Sequence, residues 1–372
     1  MDPVLPYQRA GIDFLSSRPA ALLADDTGLG KSLQMIRAAD KRNAERIVVF
    51  TPAVGRISWR LQFQEWDTLG RQVVEYPHDA FGLIPDGPLA LLVTLDYVSN
   101  VKRAAALCDA LTKAQPFHGA FIDEAHGLKN PAAKRTQMIY GTTLDRQNGH
   151  LSWAIQPALQ FVWPATATFT PLNASEIYPH LSALFPDTLK SIMPRNRTSL
   201  WHFTQKFCRV RNTNYGEKIE GNNPDTIPEL RDALKPHLIL RTKEQVLPQL
   251  PPLTTELLPV ETVGADDLDE ALKRLADADL PDDEFLDAVA KAWSDPSYST
   301  RRRVLGDLKA KAITPIINDF LTRYPDRKLI VSAHHVEVLT RIEYTFAPFN
   351  AVALHGGTPK ATASANVERF QK

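Results

Sequence analysis

The sequence predicts an α/β fold: a doubly wound parallel sheet, then a helical region, then the opening of a second, incomplete α/β lobe. Three observations predict it. Short apolar runs alternate with helix-like segments, the pattern of a sheet whose strands are buried on both faces. A glycine-rich loop with a lysine, "ADDTGLGKS" at 24–32, follows the first run. A later run, "GAFIDEAH" at 119–126, carries two adjacent carboxylates near its end.

In chain order the strand-like runs are 19–25, 46–52, 89–98, 119–126 and 159–168, each apolar and rich in β-branched or aromatic residues. Helices are predicted between them near 30–43, 56–69, 101–114 and 132–140. Together these make one complete lobe over residues 1–185. Residues 186–304 read as a helical bridging or insertion region, rich in Arg, Pro and Asn before residue 260 and acidic after it. From 305 to 372 alternation resumes, with helices at 306–324 and 336–346, strands at 328–335 and 350–357, and a last helical stretch.

Composition excludes some classes. Hydrophobic residues make up 44% and charged residues 23% of the 372, ordinary values for a globular protein. No apolar run approaches the roughly 20 residues of a membrane span, and "MDPVLPYQRAG" lacks a signal-peptide pattern. Cys108 and Cys208 have neither metal-ligand nor disulfide spacing, so a reducing compartment is expected, cytoplasmic in a bacterial or phage-infected cell or nuclear in a eukaryote. Formal net charge is zero, yet residues 261–287 hold 11 acidic residues against Lys273 and Arg274, a local charge of −9 that leaves +9 on the remainder. A basic body with an acidic tract suits a nucleic-acid partner, and equally a solvated helical surface.

The two motifs carry the chemistry. Gly28 and Gly30 allow the backbone to curl so that N–H groups converge on phosphate oxygens. Lys31 adds a compact positive charge for the β- and γ-phosphates, and Ser32 a hydroxyl for Mg²⁺. A G-x-G-K-S loop alone also occurs as a plain turn. The acidic pair tips the reading toward ATP: Asp123 is placed to hold Mg²⁺ with Ser32, and Glu124 to orient and polarise the attacking water. The strand before the pair points it to the carboxyl end of a sheet, where such folds bind ligands.

Taken together, "LPYQRAGIDFL", "ADDTGLGKS", "TPAVGRISWRLQFQEW" and "DEAHGLKN" resemble the Swi/Snf-type ATPases of helicase superfamily two, DNA translocases built from two RecA-like lobes. The resemblance runs over nearly the whole chain. It implies ATP and Mg²⁺ as cofactors, double-stranded or branched DNA as partner, and translocation driven by ATP hydrolysis. Gln8 matches the adenine-reading glutamine. Thr51, Pro52 and Trp59 match a segment that touches the DNA backbone, and Arg56, Lys129 and Arg135 join Thr51 as DNA-contact candidates, with Arg195, Arg197 and Lys206 behind them. His126 matches the residue that couples the nucleotide site to the DNA-facing motif. Arg241, Lys243, Val246 and "LP" at 250–251 sit in a bridging signature, where Arg241 is also given a coupling role. "GNNPDTIPEL", "RRRVLGDLKAK" and "VSAHHVEVL" resemble the annealing-helicase and fork-remodelling branch.

Departures from the family pattern sharpen these expectations. The family's T-G-T-P turn is "ATATFTPLN", with either an extra residue or Phe169 in place of glycine, and Thr168 is taken as its coupling residue. Leu240 stands where the bridging signature begins with arginine, and Ala363 where relatives carry one. The sequence ends at Lys372, before the motifs that supply arginine fingers, so weak turnover by the chain alone is expected unless a second polypeptide completes the second lobe. Two other readings stay open: an ATP- and DNA-binding protein with impaired catalysis, and an RNA helicase, since "DEAH" occurs there too. "GLGKS", the upstream glutamine and "LRTKEQVLPQLP" favour the DNA family.

Overall fold

The computed structural model describes residues 4–77, 83–141, 159–193, 197–213, 216–251, 254–257 and 299–371. Its contacts divide the chain into two units, Met1–Pro252 and Leu253–Lys372. The first unit holds a seven-stranded sheet made of β1 (Leu22–Leu23), β2 (Arg46–Thr51), β3 (Gln72–Glu75), β4 (Leu89–Thr94), β5 (Gly119–Asp123), β6 (Phe161–Ala165) and β9 (Leu238–Ile239). Their order is β3-β4-β2-β5-β6-β1-β9, and every pairing is parallel. The α/β class and the parallel sheet are as the sequence predicts.

Both faces of the sheet are covered, which is why β2 and β6 are buried along their whole length. On one face Leu23, Ile47, Val49, Phe121 and Trp163 pack under α1 (Pro6–Ser16), α2 (Lys31–Lys41) and α3 (Gly55–Trp66). On the other, Leu22, Val48, Phe50, Leu91 and Ile122 meet the α5 helix (Val101–Lys113), the α6 helix (Lys134–Tyr140) and residues between 174 and 207. A short helix, α4 (Leu95–Val98), is capped by the Thr94 hydroxyl, which accepts from the Tyr97 amide. The run 89–98 is therefore strand and then helix.

Three features of the first unit differ from the sequence reading. The lobe does not close at residue 185: β9 pairs with β1, through Leu22↔Leu238 and Leu23↔Ile239. Its neighbourhood is not wholly helical either, since β7 (Cys208–Thr213) and β8 (Gly216–Asn222) form an antiparallel hairpin. The edge strand β3 was not anticipated, because its polar ends sit at the sheet margin and break the apolar run.

The second unit contains a long helix, Ser299–Arg323, and two further helices, Val336–Thr345 and Lys360–Gln371. Among its described residues Ala310, Ile317, Val338 and Phe346 are buried. Residues 328–335 and 350–357, read as strands, form no ladder among the described residues. A parallel strand needs a neighbour to satisfy its backbone, and the described part of this unit offers none. The acidic tract 261–287 and Arg195 lie outside the described residues. No helix among the described residues is long and apolar enough to cross a membrane.

The position of β9 makes a direct prediction. A fragment ending at residue 252 should fold as a monomer, whereas one ending at residue 185 leaves β1 as an open edge and aggregates. Size-exclusion chromatography and urea unfolding of the two fragments distinguish them.

Candidate active site

Because every pairing in the seven-stranded sheet is parallel, β1, β2, β5 and β6 deliver their carboxyl ends to one margin of it. The loop 25–30 follows β1, Thr51 ends β2, Asp123 ends β5, and Thr166 follows β6. Four segments far apart in sequence are thereby brought to one edge.

The loop is shaped by two left-handed glycines, Gly28 at φ 82° and Gly30 at φ 75°. Gly30 is needed on a second count: a Cβ there would lie 2.6 Å from Gln8 Nε2. Gln8 itself is buried, accepts from the Leu5 amide at 2.9 Å and donates to the Leu29 carbonyl at 3.3 Å. It thus fastens α1 to the loop. Lys31 opens α2, and its ammonium donates to the carbonyls of Asp25 at 2.8 Å and Asp26 at 3.2 Å. Burial pushes the Lys31 pKa down, opposed by the carboxylates of Glu124, Asp25, Asp123 and Asp26.

Asp25 has no exposed surface. The Arg241 guanidinium grips it from β9's far side, with Nε 2.9 Å from Asp25 Oδ1 and Nη2 on Oδ2. Gln34 completes the set, donating to Asp25 Oδ2 at 3.0 Å and accepting from Arg241 Nη2 at 2.7 Å. Arg241 also donates to the Tyr7 carbonyl. The Lys243 amide donates to Asp26 Oδ2 at 3.0 Å, so the bridging segment runs along the whole base of the loop.

At the acidic pair the two carboxylates have different surroundings. Asp123 Oδ2 accepts from Thr51 Oγ1 at 3.0 Å and from Trp59 Nε1 at 2.8 Å, and Oδ1 accepts from the Glu124 amide at 3.0 Å. Glu124 is in the left-handed region, at φ 48° and ψ 49°, a conformation that costs a non-glycine residue of order 1–3 kcal/mol and concentrates at functional sites. His126 Nδ1 lies 3.1 Å from both Glu124 Oε2 and Thr166 Oγ1. Thr166 in turn donates to Glu124 Oε2 at 3.4 Å. Glu124, His126 and Thr166 are one cluster.

A hydroxyl at Ser32 and a carboxylate at Asp123 are hard oxygen donors, the kind Mg²⁺ takes in ones and twos while phosphates fill other positions. Among the described residues no group of three or more His, Cys, Asp and Glu side chains is placed to hold a metal. A hydroxyl and a carboxylate fit a cation that arrives with a phosphate ligand.

The coupling and DNA-contact assignments need correction. Thr166, not Thr168, meets His126 and Glu124; Thr168 only brings its amide within 3.4 Å of Thr166 Oγ1. Thr51 is fully buried and points at Asp123 instead of outward. Arg56 is paired with Glu75 at 3.0 Å, and Lys129 with Glu176 at 2.9 Å. Lys206 binds Glu229 at 2.8 Å. These carboxylates are distant in sequence, so nothing local announced them. Arg135 is half-buried beside Gly127, with no ion-pair partner shown among the described residues, and Arg197 is exposed. The contacts that sequence reasoning missed, Asp25 to Arg241 and Trp59 to Asp123, join residues 216 and 64 positions apart.

The model of the SNF2-related domain matches residues 7–265. The chain belongs to the SNF2-related family. Among curated relatives of this SNF2-related chain, the mouse (Mus musculus) protein named DNA annealing helicase and endonuclease ZRANB3 is 24% identical over 390 residues, covering 99% of this chain and 33% of the relative. The Xenopus tropicalis SWI/SNF-related matrix-associated actin-dependent regulator of chromatin subfamily A-like protein 1 is 25% identical over 395 residues, covering 99% of this chain and 36% of its own length. The chain thus spans about a third of the curated relatives it matches. A solved structure of the Sulfolobus solfataricus SWI2/SNF2 ATPase core in complex with dsDNA aligns at 17% identity, covering 99% of this chain and 75% of that one, with a TM-score of 0.49. Membership of the family implies nucleotide binding with a divalent metal.

The Asp25–Arg241 pair yields a stability prediction. Arg241→Ala leaves a buried charge uncompensated and should cost about 3–5 kcal/mol. Arg241→Lys should recover only part, because an ammonium cannot span both carboxylate oxygens. Urea titration of the three proteins measures the difference.

Proposed function

We propose that the chain is the ATP-hydrolysing part of a double-stranded DNA translocase, acting on duplex or branched DNA. The observation that carries this reading is the delivery of Lys31, at the start of α2 beyond β1, and of Asp123 and Glu124, at and just past the end of β5, to the same sheet margin. Lys31 would exchange the loop carbonyls of Asp25 and Asp26 for phosphate oxygens. Mg²⁺, when bound, would neutralise charge on the β- and γ-phosphates, held by Ser32 and the free capacity of Asp123 Oδ1. Glu124 would orient the attacking water, its own carboxylate steadied by His126 and Thr166. Gln8 would read the adenine edge, giving up or sharing its bond to Leu29.

DNA as the partner is supported by family membership and by relatives whose names include DNA annealing helicase. Contacts to phosphates would dominate, giving sequence-independent and salt-sensitive binding. Arg135 and Arg197 are the basic residues best placed for it, since Arg56 and Lys129 are already engaged. DNA dependence also fits a motor whose two lobes close on nucleotide, with the segment 237–246 carrying that motion to the phosphate loop.

The test is ATP turnover with and without duplex DNA, beside nucleotide binding by the same protein. Lys31→Ala should abolish nucleotide binding. Glu124→Gln should keep binding and lose about 10²–10⁴ in turnover. Duplex DNA should stimulate the wild-type rate, and single-stranded RNA should not; stimulation by RNA alone would move the reading to an RNA helicase.

Lys31 sets a pH signature. Its pKa in the free protein is lowered by burial, and phosphate charge beside it must raise it again. Between those two values nucleotide binding takes up a proton, so affinity falls as pH rises through the free-protein value. Calorimetry in buffers of different ionisation heat should show proton uptake on the alkaline side, and Lys31→Arg should remove it.

A further inference from the structure

We propose that Thr51 and Trp59 are positioning residues for Asp123, so that the β2–α3 segment sets the orientation of the metal-side carboxylate. The inference rests on the nucleotide reading above. Two neutral donors from one segment converge on a single oxygen, Asp123 Oδ2, at 3.0 and 2.8 Å. Both are buried: Thr51 is 0% and Trp59 is 2% exposed. With Oδ1 accepting, among the described residues, only the adjacent Glu124 amide, the carboxylate plane is fixed and Oδ1 keeps acceptor capacity. Outer partners of this kind orient a metal ligand and tune how tightly it binds.

Packing alone does not account for the arrangement. Trp59 sits among Phe63 and Phe121, with ring centroids 5.9 and 5.8 Å away, contacts that need an aromatic ring but not an N–H. What the indole adds is the N–H, and it is spent on Asp123. The backbone is adapted to the same contact. A Cβ at Gly55 would lie 2.2 Å from Thr51 Oγ1 and 3.4 Å from Asp123 Oδ2, so a side chain there would displace the hydroxyl. The segment that the family resemblance assigns to the DNA strand thus works inward as well, on the carboxylate.

The test uses Trp59→Phe, which keeps an aromatic ring but deletes the donor along with some volume, and Thr51→Val, which keeps the shape and deletes the hydroxyl. Binding of a fluorescent ADP analogue is measured against Mg²⁺ concentration and again in EDTA. We expect both variants to need about 10–100-fold more Mg²⁺, with nucleotide affinity in EDTA unchanged. Thr51→Ser should recover most of the loss. Intrinsic tryptophan fluorescence should respond to Mg²⁺ with ADP in the wild type, and that component should vanish in Trp59→Phe. Folded variants with wild-type Mg²⁺ dependence would overturn this inference alone. A wild-type protein that binds no nucleotide at all would overturn the nucleotide reading, and this inference with it.

Discussion

The glycine-rich loop 25–30 depends on a buried carboxylate and the arginine that neutralises it. Asp25 stands at the end of β1 with no access to water, a position that is costly for an ionised group unless it is paired and fully hydrogen-bonded. Arg241 meets both oxygens in the fork geometry that suits a guanidinium, and Gln34 donates to Asp25 Oδ2 and accepts from Arg241. Because Arg241 follows β9, the loop acquires its shape only when a segment more than two hundred residues downstream is docked. Backbone bonds from Leu22 to His237, Ala24 to Ile239 and Asp26 to Arg241 make that docking continuous. The segment 237–243 is therefore part of the same lobe as the glycine-rich loop, and a force applied to it would act on that loop directly.

The acidic pair is divided by its supports. Asp123 is held from β2 and α3, whereas Glu124 is held by His126 and Thr166, from its own turn and from the end of β6. Neighbouring residues on one strand end thus answer to different segments. The left-handed backbone at Glu124 makes this possible, turning its side chain away from that of Asp123 at a conformational cost that the surrounding bonds offset.

How much of this was legible follows from where each signal lives. Strands β2, β4, β5 and β6 were readable because burial on both faces makes a parallel strand an unbroken apolar run. Strand β9 was not, since two residues carry no period and its membership is decided by β1. The runs 328–335 and 350–357 show the converse: composition alone does not supply a pairing partner. Within the site, Lys31, Asp123 and Glu124 were readable because the chemistry lies in local spacing. The direction of Thr51 and the partners of Arg56 and Lys129 were not, because Asp123, Glu75 and Glu176 lie 72, 19 and 47 positions away.

The departure at "ATATFTPLN" also acquires a physical account. Of the three threonines within five residues, it is the hydroxyl of Thr166 that reaches His126. Phe169, the residue that breaks the family pattern, is buried with its ring edge-on to His180 at 5.2 Å. His180 is wholly enclosed; burial pushes its pKa down to about 3, only partly offset by the Ala125 backbone, so the ring is neutral at any working pH. Its Nδ1 lies 3.0 Å from the Tyr140 hydroxyl on α6. One uncharged ring thus touches the residue after Glu124, the turn after Thr166 and the helix that follows "GLKNP". Phe169 fills space against that ring with an apolar side chain and so adds no charge to this enclosed cluster.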